Sequence, residues 1–274
     1  MLKPQDFFDL EGNRFSSIFE GVEYVWEALR KTNRYIKEQI SPNVSSLRKD
    51  GVLVKKTLIL YEGNILESGF VIENVSIGKK GFVVKKDGEE VQDASIVYAG
   101  VYLMDDDIEI GKGVVIEPGA LIKGPTIIEN NTEIRQGAYI RGNVIIGAGC
   151  VVGHTTEVKS SVMLGESKAG HFAYIGDSIL GRVNLGAGTK LANLKITESE
   201  VVLKINGKQY KTGLRKFGAI LADGVETGCN TVTTPGTLLG KGVLVYPNAM
   251  VKGYYPANTI VKLRQTHNLE KKGK

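Results

Sequence analysis

The sequence predicts a mainly β protein, a parallel β-helix wound from hexapeptide repeats behind an N-terminal helical segment, and three observations carry that prediction. Ten aliphatic residues, Ile110, Ile116, Ile122, Ile128, Ile134, Ile140, Ile146, Val152, Val158 and Leu164, stand at six-residue intervals. Small residues often follow four places later, as at Val114, Ala120, Thr126, Thr132, Ala138, Val144 and Cys150. A second six-residue series runs through Leu221, Thr227, Thr233, Leu239, Val245 and Val251. A helix of period 3.6 would scatter such residues round its surface, and a strand of period 2 does not need one residue type at every third inward position. A coil with one flat face per hexapeptide accounts for the spacing, and each aliphatic residue then stacks on its counterpart three hexads further along.

In chain order, residues 1–50 form the helical segment. Apolar residues at Phe15, Ile18, Phe19, Val22, Val25, Trp26, Leu29 and Ile36 suit one amphipathic helix over Phe15–Ile40, closed by Ser41-Pro42. Its apolar face, Trp26 included, is expected to pack on the end of the β-helix or on a neighbouring subunit, because an exposed stripe invites aggregation. Residues 51–100 turn to strand-like runs, Leu58-Ile59-Leu60-Tyr61 and Gly81-Phe82-Val83-Val84, broken by Glu62-Gly63-Asn64 and Lys86-Asp87-Gly88. They are expected to cap the first coil with irregular β structure, as a repeat fold requires at an exposed end. The β-helix domain then covers 101–274. Its hexads lose register from His171 to Leu191 and resume after Arg215. Between the two blocks, runs at 201–205 and 208–211 flank Asn206-Gly207, the pair favoured by a type I′ turn, which predicts a hairpin inserted over 197–215. A solenoid can place function where its repeat is interrupted, so the interval holding His171, Tyr174, Asn184 and Asn193 is where chemistry is expected.

Composition narrows the function. The 274 residues, 42% of them hydrophobic, suffice for one large domain plus an appendage and are too apolar for disorder. The net charge of +5 comes from scattered lysines, with a last cluster at 270–274, and lacks the stripe of a nucleic-acid binder; small acidic or phosphorylated substrates fit it better. Cys150 and Cys229 are too few for a disulfide framework and read as reduced thiols of a cytoplasmic protein. No apolar run reaches the roughly 18 residues of a membrane span, and Met1 to Asp6 contain no hydrophobic signal core.

Four segments resemble a known family: Glu157-Val158-Lys159, the run from Ser167 to Asp177 (SKAGHFAYIGD), Asn184-Leu185-Gly186-Ala187-Gly188-Thr189, and Asn193. Together they resemble the acetyltransferase domain of the bacterial bifunctional glucosamine-1-phosphate acetyltransferase and N-acetylglucosamine-1-phosphate uridylyltransferase. Gly213 to Gly218, with Thr227-Gly228-Cys229-Asn230, is more similar to the archaeal-type sugar-1-phosphate nucleotidyltransferases that carry the same acetyltransferase half. The resemblance covers about Ile110 to Lys262. It implies a left-handed parallel β-helix assembled as a homotrimer, with active sites between neighbouring subunits. The family's nucleotidyltransferase half opens with a G-x-G-T-x-M loop, and the first 100 residues hold no such segment, so uridylyl transfer is not expected. A separate nucleotidyltransferase is a possible partner.

The resemblance also implies roles. Acetyl transfer to an amine needs a base, and histidine, with an unperturbed pKa of about 6.5, suits the task. His171 matches the family's base, with Glu157 engaging the substrate amine or orienting His171. Arg141, Lys159, Tyr174 and Lys216 match the phosphate and sugar contacts, as expected for a dianion. Arg141 lies one eighteen-residue coil before Lys159, and Arg135 is the alternative in the preceding hexad. Asn184 and Asn193 match the sugar-binding and acetyl-binding asparagines. The Ala187 N–H matches the donor to the thioester oxygen, and Cys229 and Pro247 match the lining of the coenzyme A channel. Two departures stand out: the segment between Asp177 and Asn184 is one residue shorter than in the bacterial enzymes, and Leu194 replaces their tyrosine.

The expected activity is acetyl-CoA-dependent N-acetylation of a hexosamine 1-phosphate, glucosamine 1-phosphate first and galactosamine 1-phosphate second, in nucleotide-sugar and cell-envelope precursor synthesis. No metal is expected. The alternatives are a non-catalytic trimeric scaffold or regulatory subunit, and a nucleotidyltransferase-like protein with a degenerate front half.

Overall fold

A computed structural model describes residues 2–74 and 82–272. Gly81 and the tail residues 273–274 lie outside them. Among the described residues the chain winds into a parallel β-helix with three long sheets. One eight-stranded sheet includes Leu121–Lys123, Tyr139–Arg141, Glu157–Lys159, Tyr174–Gly176 and Lys190–Leu191, and is called here the cation face. The second, from Ile108–Ile110 to Tyr254–Tyr255, is the covered face. The third is the histidine face, with strands Val151–His154, Lys168–His171, Asn184–Leu185 and Glu226–Thr227.

The hexad residues point inward as the spacing predicts. Ile122 pairs with Ile140 and Ile140 with Val158, Ile128 pairs with Ile146, and Ile134 with Val152. All of these residues are 0% exposed. The series then slips one residue earlier than the sequence suggests. Ile146 pairs with Met163, not Leu164, and Val158 pairs with Ile175, so this coil has seventeen residues. The cause lies at a corner. Gly142 and Asn143 turn the previous coil with φ of 82° and 54°, whereas Ser160 alone turns this one at φ 45°. Ala169–Leu185 and Ile175–Leu191 pairs define a coil of sixteen. The interval from His171 to Leu191 is therefore continuous coil with tighter corners, not a break in the stack.

The N-terminal segment differs from expectation in shape and place. Only Ala28–Gln39 forms a long helix; Ser16–Phe19 and Val25–Glu27 are single 3-10 turns. Gly21 at φ 67° and Tyr24 in extended conformation interrupt the apolar periodicity between them. The segment runs along the flank of the β-helix instead of sitting on its end. Asp9 N–H donates to Asp223 at 2.7 Å, the Asn13 amide to the Leu164 carbonyl at 2.7 Å, and the Asn43 amide to the Ile110 carbonyl at 2.8 Å. The reason is legible in the covered strands, where outward Ile127, Ile145, Val162, Ile179, Ile220 and Leu238 are apolar and 0% exposed. Strands buried on both sides lose the alternation of a half-exposed sheet.

A hairpin stands between the two hexad blocks. Val202–Ile205 pairs antiparallel with Lys208–Lys211, and Asn206 and Gly207 both have positive φ, 50° and 77°, as a type I′ turn demands. Tyr210 meets Trp26 edge-on at 6.0 Å, so the N-terminal segment buttresses the insertion. At the other end, Leu58–Tyr61 runs antiparallel to Ser95–Val97, the strand that begins the parallel stack, and a separate small sheet of Phe70–Asn74, Phe82–Lys86 and Glu89–Glu90 packs beside them.

Candidate active site

Four expected site residues share one corner of the coil. Lys168 pairs with Asn184, Asn184 with Glu226, and Glu226 with Leu244. Continuing that register by three residues places His171, Ala187, Cys229 and Pro247 side by side on successive rungs, each ~4.8 Å from the next. Corner hydrogen bonds follow the same order: Gly188 N–H to the His171 carbonyl at 3.0 Å, Asn230 N–H to Ala187 at 2.8 Å, and Asn248 N–H to Cys229 at 2.9 Å. Thr189 N–H closes a turn onto the Gly186 carbonyl at 3.1 Å. Ala187 is the second residue of that turn, and among the described residues its N–H has no acceptor.

The His171 side chain is exposed, and among the described residues its imidazole has no hydrogen-bond partner. Phe172 beside it is 55% exposed and sits at φ 54°, an outlier for an aromatic residue. Its ring lies 6.3 Å from that of His171 and 5.3 Å from that of His154 one rung away. Of the two cysteines, Cys150 is buried in the core and Cys229 is exposed at the corner.

The expected phosphate ligands gather on the cation face. Arg141 Nη1 donates to Glu157 Oε1 at 2.7 Å, and Lys159 Nζ to Asp177 Oδ2 at 2.8 Å. The Asn193 amide donates to the same Asp177 oxygen, and Tyr174 OH donates to Asn193 Oδ1 at 3.3 Å. Burial pushes the Tyr174 phenol above its ordinary pKa, and the Glu157 and Asp177 carboxylates push it further in the same direction. Sequence reasoning assigned Asp177 no role. Its signal was its place at the end of the family motif, but its partners lie one coil away on either side.

The structure separates other residues. Glu157 pairs with Arg141, and His171 is not its partner. Arg135 bonds Glu133 at 2.7 Å on the histidine face, which leaves Arg141 to share a face with Lys159. Lys216 bridges Leu194, and Phe217 N–H donates to the Asn193 carbonyl at 2.9 Å, so Lys216 stands at the base of the hairpin across the cation face from His171. Asn184 opens onto a 390 Å³ cleft on the histidine face, lined also by Lys168, Arg182 and Glu226. Among the described residues no helix is long and apolar enough to cross a membrane.

The family model of the GMPPB C-terminal domain matches residues 122–262. The chain belongs to that family. Every expected site residue, from Arg141 to Pro247, falls within the GMPPB C-terminal domain match, whereas the N-terminal segment and the cap lie outside it. Among curated proteins the chain is 43% identical over 98 residues to the bifunctional sugar-1-phosphate nucleotidylyltransferase/acetyltransferase of Sulfurisphaera tokodaii, covering 35% of this chain and 24% of that protein. It is 30% identical over 164 residues to the bifunctional protein GlmU of Thermosynechococcus vestitus, covering 60% of this chain and 29% of that protein. The chain thus spans about a quarter of the length of the curated relatives it matches. A hexapeptide transferase family protein from Anaplasma phagocytophilum aligns structurally at a TM-score of 0.29 and 19% identity, over 59% of this chain and 75% of that one.

Proposed function

We propose that this chain is an acetyl-CoA-dependent N-acetyltransferase of the cytoplasm acting on a hexosamine 1-phosphate, with glucosamine 1-phosphate as first candidate. The observation that carries this reading is the corner column, where an imidazole and a backbone N–H without partners among the described residues are followed by two small side chains on adjacent rungs. His171 takes the proton as the sugar nitrogen attacks the thioester carbonyl, and the Ala187 N–H stabilises the oxygen on which negative charge develops. The C–S bond breaks, and the departing thiolate takes up a proton from the imidazolium. Coenzyme A lies past Cys229 and Pro247.

Side chains on two faces of a three-sided coil diverge, so Arg141, Lys159 and Tyr174 serve the His171 corner of a neighbouring subunit. The homotrimer supplies that arrangement, with Asn193 and Lys216 at the far edge of the cation face meeting the acetyl group and the phosphate. Lys159 keeps two N–H donors for phosphate after its bond to Asp177. The reading is tested by following thiol release from acetyl-CoA with glucosamine 1-phosphate and galactosamine 1-phosphate. Turnover in wild type that is lost in His171→Ala supports it. Equal inactivity of both proteins across amino-sugar phosphates would favour a non-catalytic scaffold.

A further inference from the structure

Arg141, Glu157, Lys159, Asp177 and Asn193 on the cation face are tied up in side-chain bonds, whereas a row of three polar side chains on the histidine face is not. Lys168, Asn184 and Glu226 stand directly opposite one another on three successive strands of the histidine face. Their side chains leave the sheet ~4.8 Å apart. All three are exposed, and among the described residues none of the three side chains has a hydrogen-bond or ionic partner. They line the 390 Å³ cleft, in which Gly149 and Gly224 leave room for a ligand to approach the backbone. Arg182 at its edge lies 3.7 Å from Asp9 and 3.8 Å from Asp223, in loose ion pairs.

The row stands at a set distance from the transfer corner. Lys168 precedes His171, and Asn184 precedes Ala187, by three residues of nearly extended chain, ~10 Å. A hexose whose amine meets His171 therefore presents the opposite edge of its ring to the row. An ammonium that only donates, a carboxamide that does both and a carboxylate that only accepts match neighbouring hydroxyls, each of which can donate and accept.

We propose that Lys168 and Glu226, on either side of Asn184, read the hydroxyl groups of the acceptor hexose remote from its amine, and so set which hexosamine is accepted. This rests on the acetyl-transfer reading above and adds Lys168 and Glu226 as specificity-determining residues. An epimer that turns one hydroxyl away leaves a side chain of the row unpaired, which is how a hydrogen-bonding site discriminates.

The test compares wild type, Lys168→Met and Glu226→Ala, with thermal melting as a check on folding. Thiol release gives kcat/KM for glucosamine 1-phosphate and galactosamine 1-phosphate, and calorimetry gives Kd for each without acetyl-CoA. Glu226→Ala is expected to change the ratio of the two kcat/KM values by about tenfold or more, and both variants to weaken binding of the preferred acceptor about tenfold, with KM for acetyl-CoA within about twofold. Ratios and Kd values within about twofold of wild type in both variants overturn the proposal. If wild type binds an acceptor without transferring acetyl, the transfer reading fails and the row is decided by Kd alone. If wild type binds neither acceptor, both fall.

Discussion

The Lys159 ammonium donates to Asp177 Oδ2 at 2.8 Å, and the two side chains are only 15% and 16% exposed. The same oxygen accepts from Asn193, which in turn accepts from Tyr174, so one carboxylate joins groups from three coils. Asp177→Asn keeps the shape but leaves the lysine without its counter-charge in an enclosed position. Stability is expected to fall by about 3 kcal/mol in urea unfolding. The acceptor KM is expected to rise about tenfold as the ammonium loses its orientation. An unchanged unfolding midpoint would remove Asp177 from this role.

His171→Asn is expected to behave in the opposite way. The imidazole is exposed and among the described residues has no hydrogen-bond partner, so the melting temperature is expected to stay at its wild-type value. Loss of the proposed base is expected to lower kcat by about 10²- to 10⁴-fold. Thiol-release kinetics beside a circular-dichroism melt would separate the two effects, and a large drop in melting temperature would contradict the open geometry of the corner.

Ile145 faces outward yet is 0% exposed beneath the N-terminal segment. Ile145→Ala is expected to cost about 2–4 kcal/mol, the range for emptying a core site. Lys123→Ala, on the cation face of the preceding coil, removes a contact over the Tyr139 ring at 5.7 Å and is expected to cost less than about 1 kcal/mol. Urea titrations of the two variants would check the contrast.

Acid should loosen the cap through Glu67. Ion pairs with Lys49 and Lys56 hold its carboxyl at about 2, below the ordinary 4.5. A carboxyl depressed in the folded state stabilises above the unfolded value and ceases to do so as pH falls through the folded one. Amide exchange around residues 49–67 is therefore expected to accelerate as pH drops from about 4.5 to 2, after correction for intrinsic rates. In Glu67→Gln this added acceleration is absent.

The repeat was legible because its inward column tolerates little besides aliphatic or small residues, and Ile122, Ile140 and Val158 align as their spacing requires. Asn206-Gly207 likewise announced its turn, since both residues must accept positive φ. The slip from Leu164 to Met163 was hidden because two adjacent apolar residues fit either register, and a single corner residue, Ser160, decides between them. The covered face was written as doubled aliphatics, Ile127-Ile128 and Ile145-Ile146, but that pattern says only that something lies over them. Asp177 was not legible because its partners, Lys159 and Asn193, are eighteen and sixteen residues away and meet it only once the coil is wound.

The long reach of the N-terminal segment governs the order in which the molecule can assemble. Its early residues hold a late corner of the coil: the Phe7 carbonyl accepts from Asp223 N–H at 3.0 Å, and Asp9 N–H donates to the Asp223 side chain. Synthesised before the coils, residues 2–50 have no surface to meet until the coils beneath them exist. Neighbouring coils meet across short separations and wind early, whereas this closure waits on contacts more than two hundred residues apart. Until it closes, the aliphatic flank of the nascent coil stays open to water, which makes the interval between synthesis of the first coil and docking of the first helix the window in which a chaperone has most to protect.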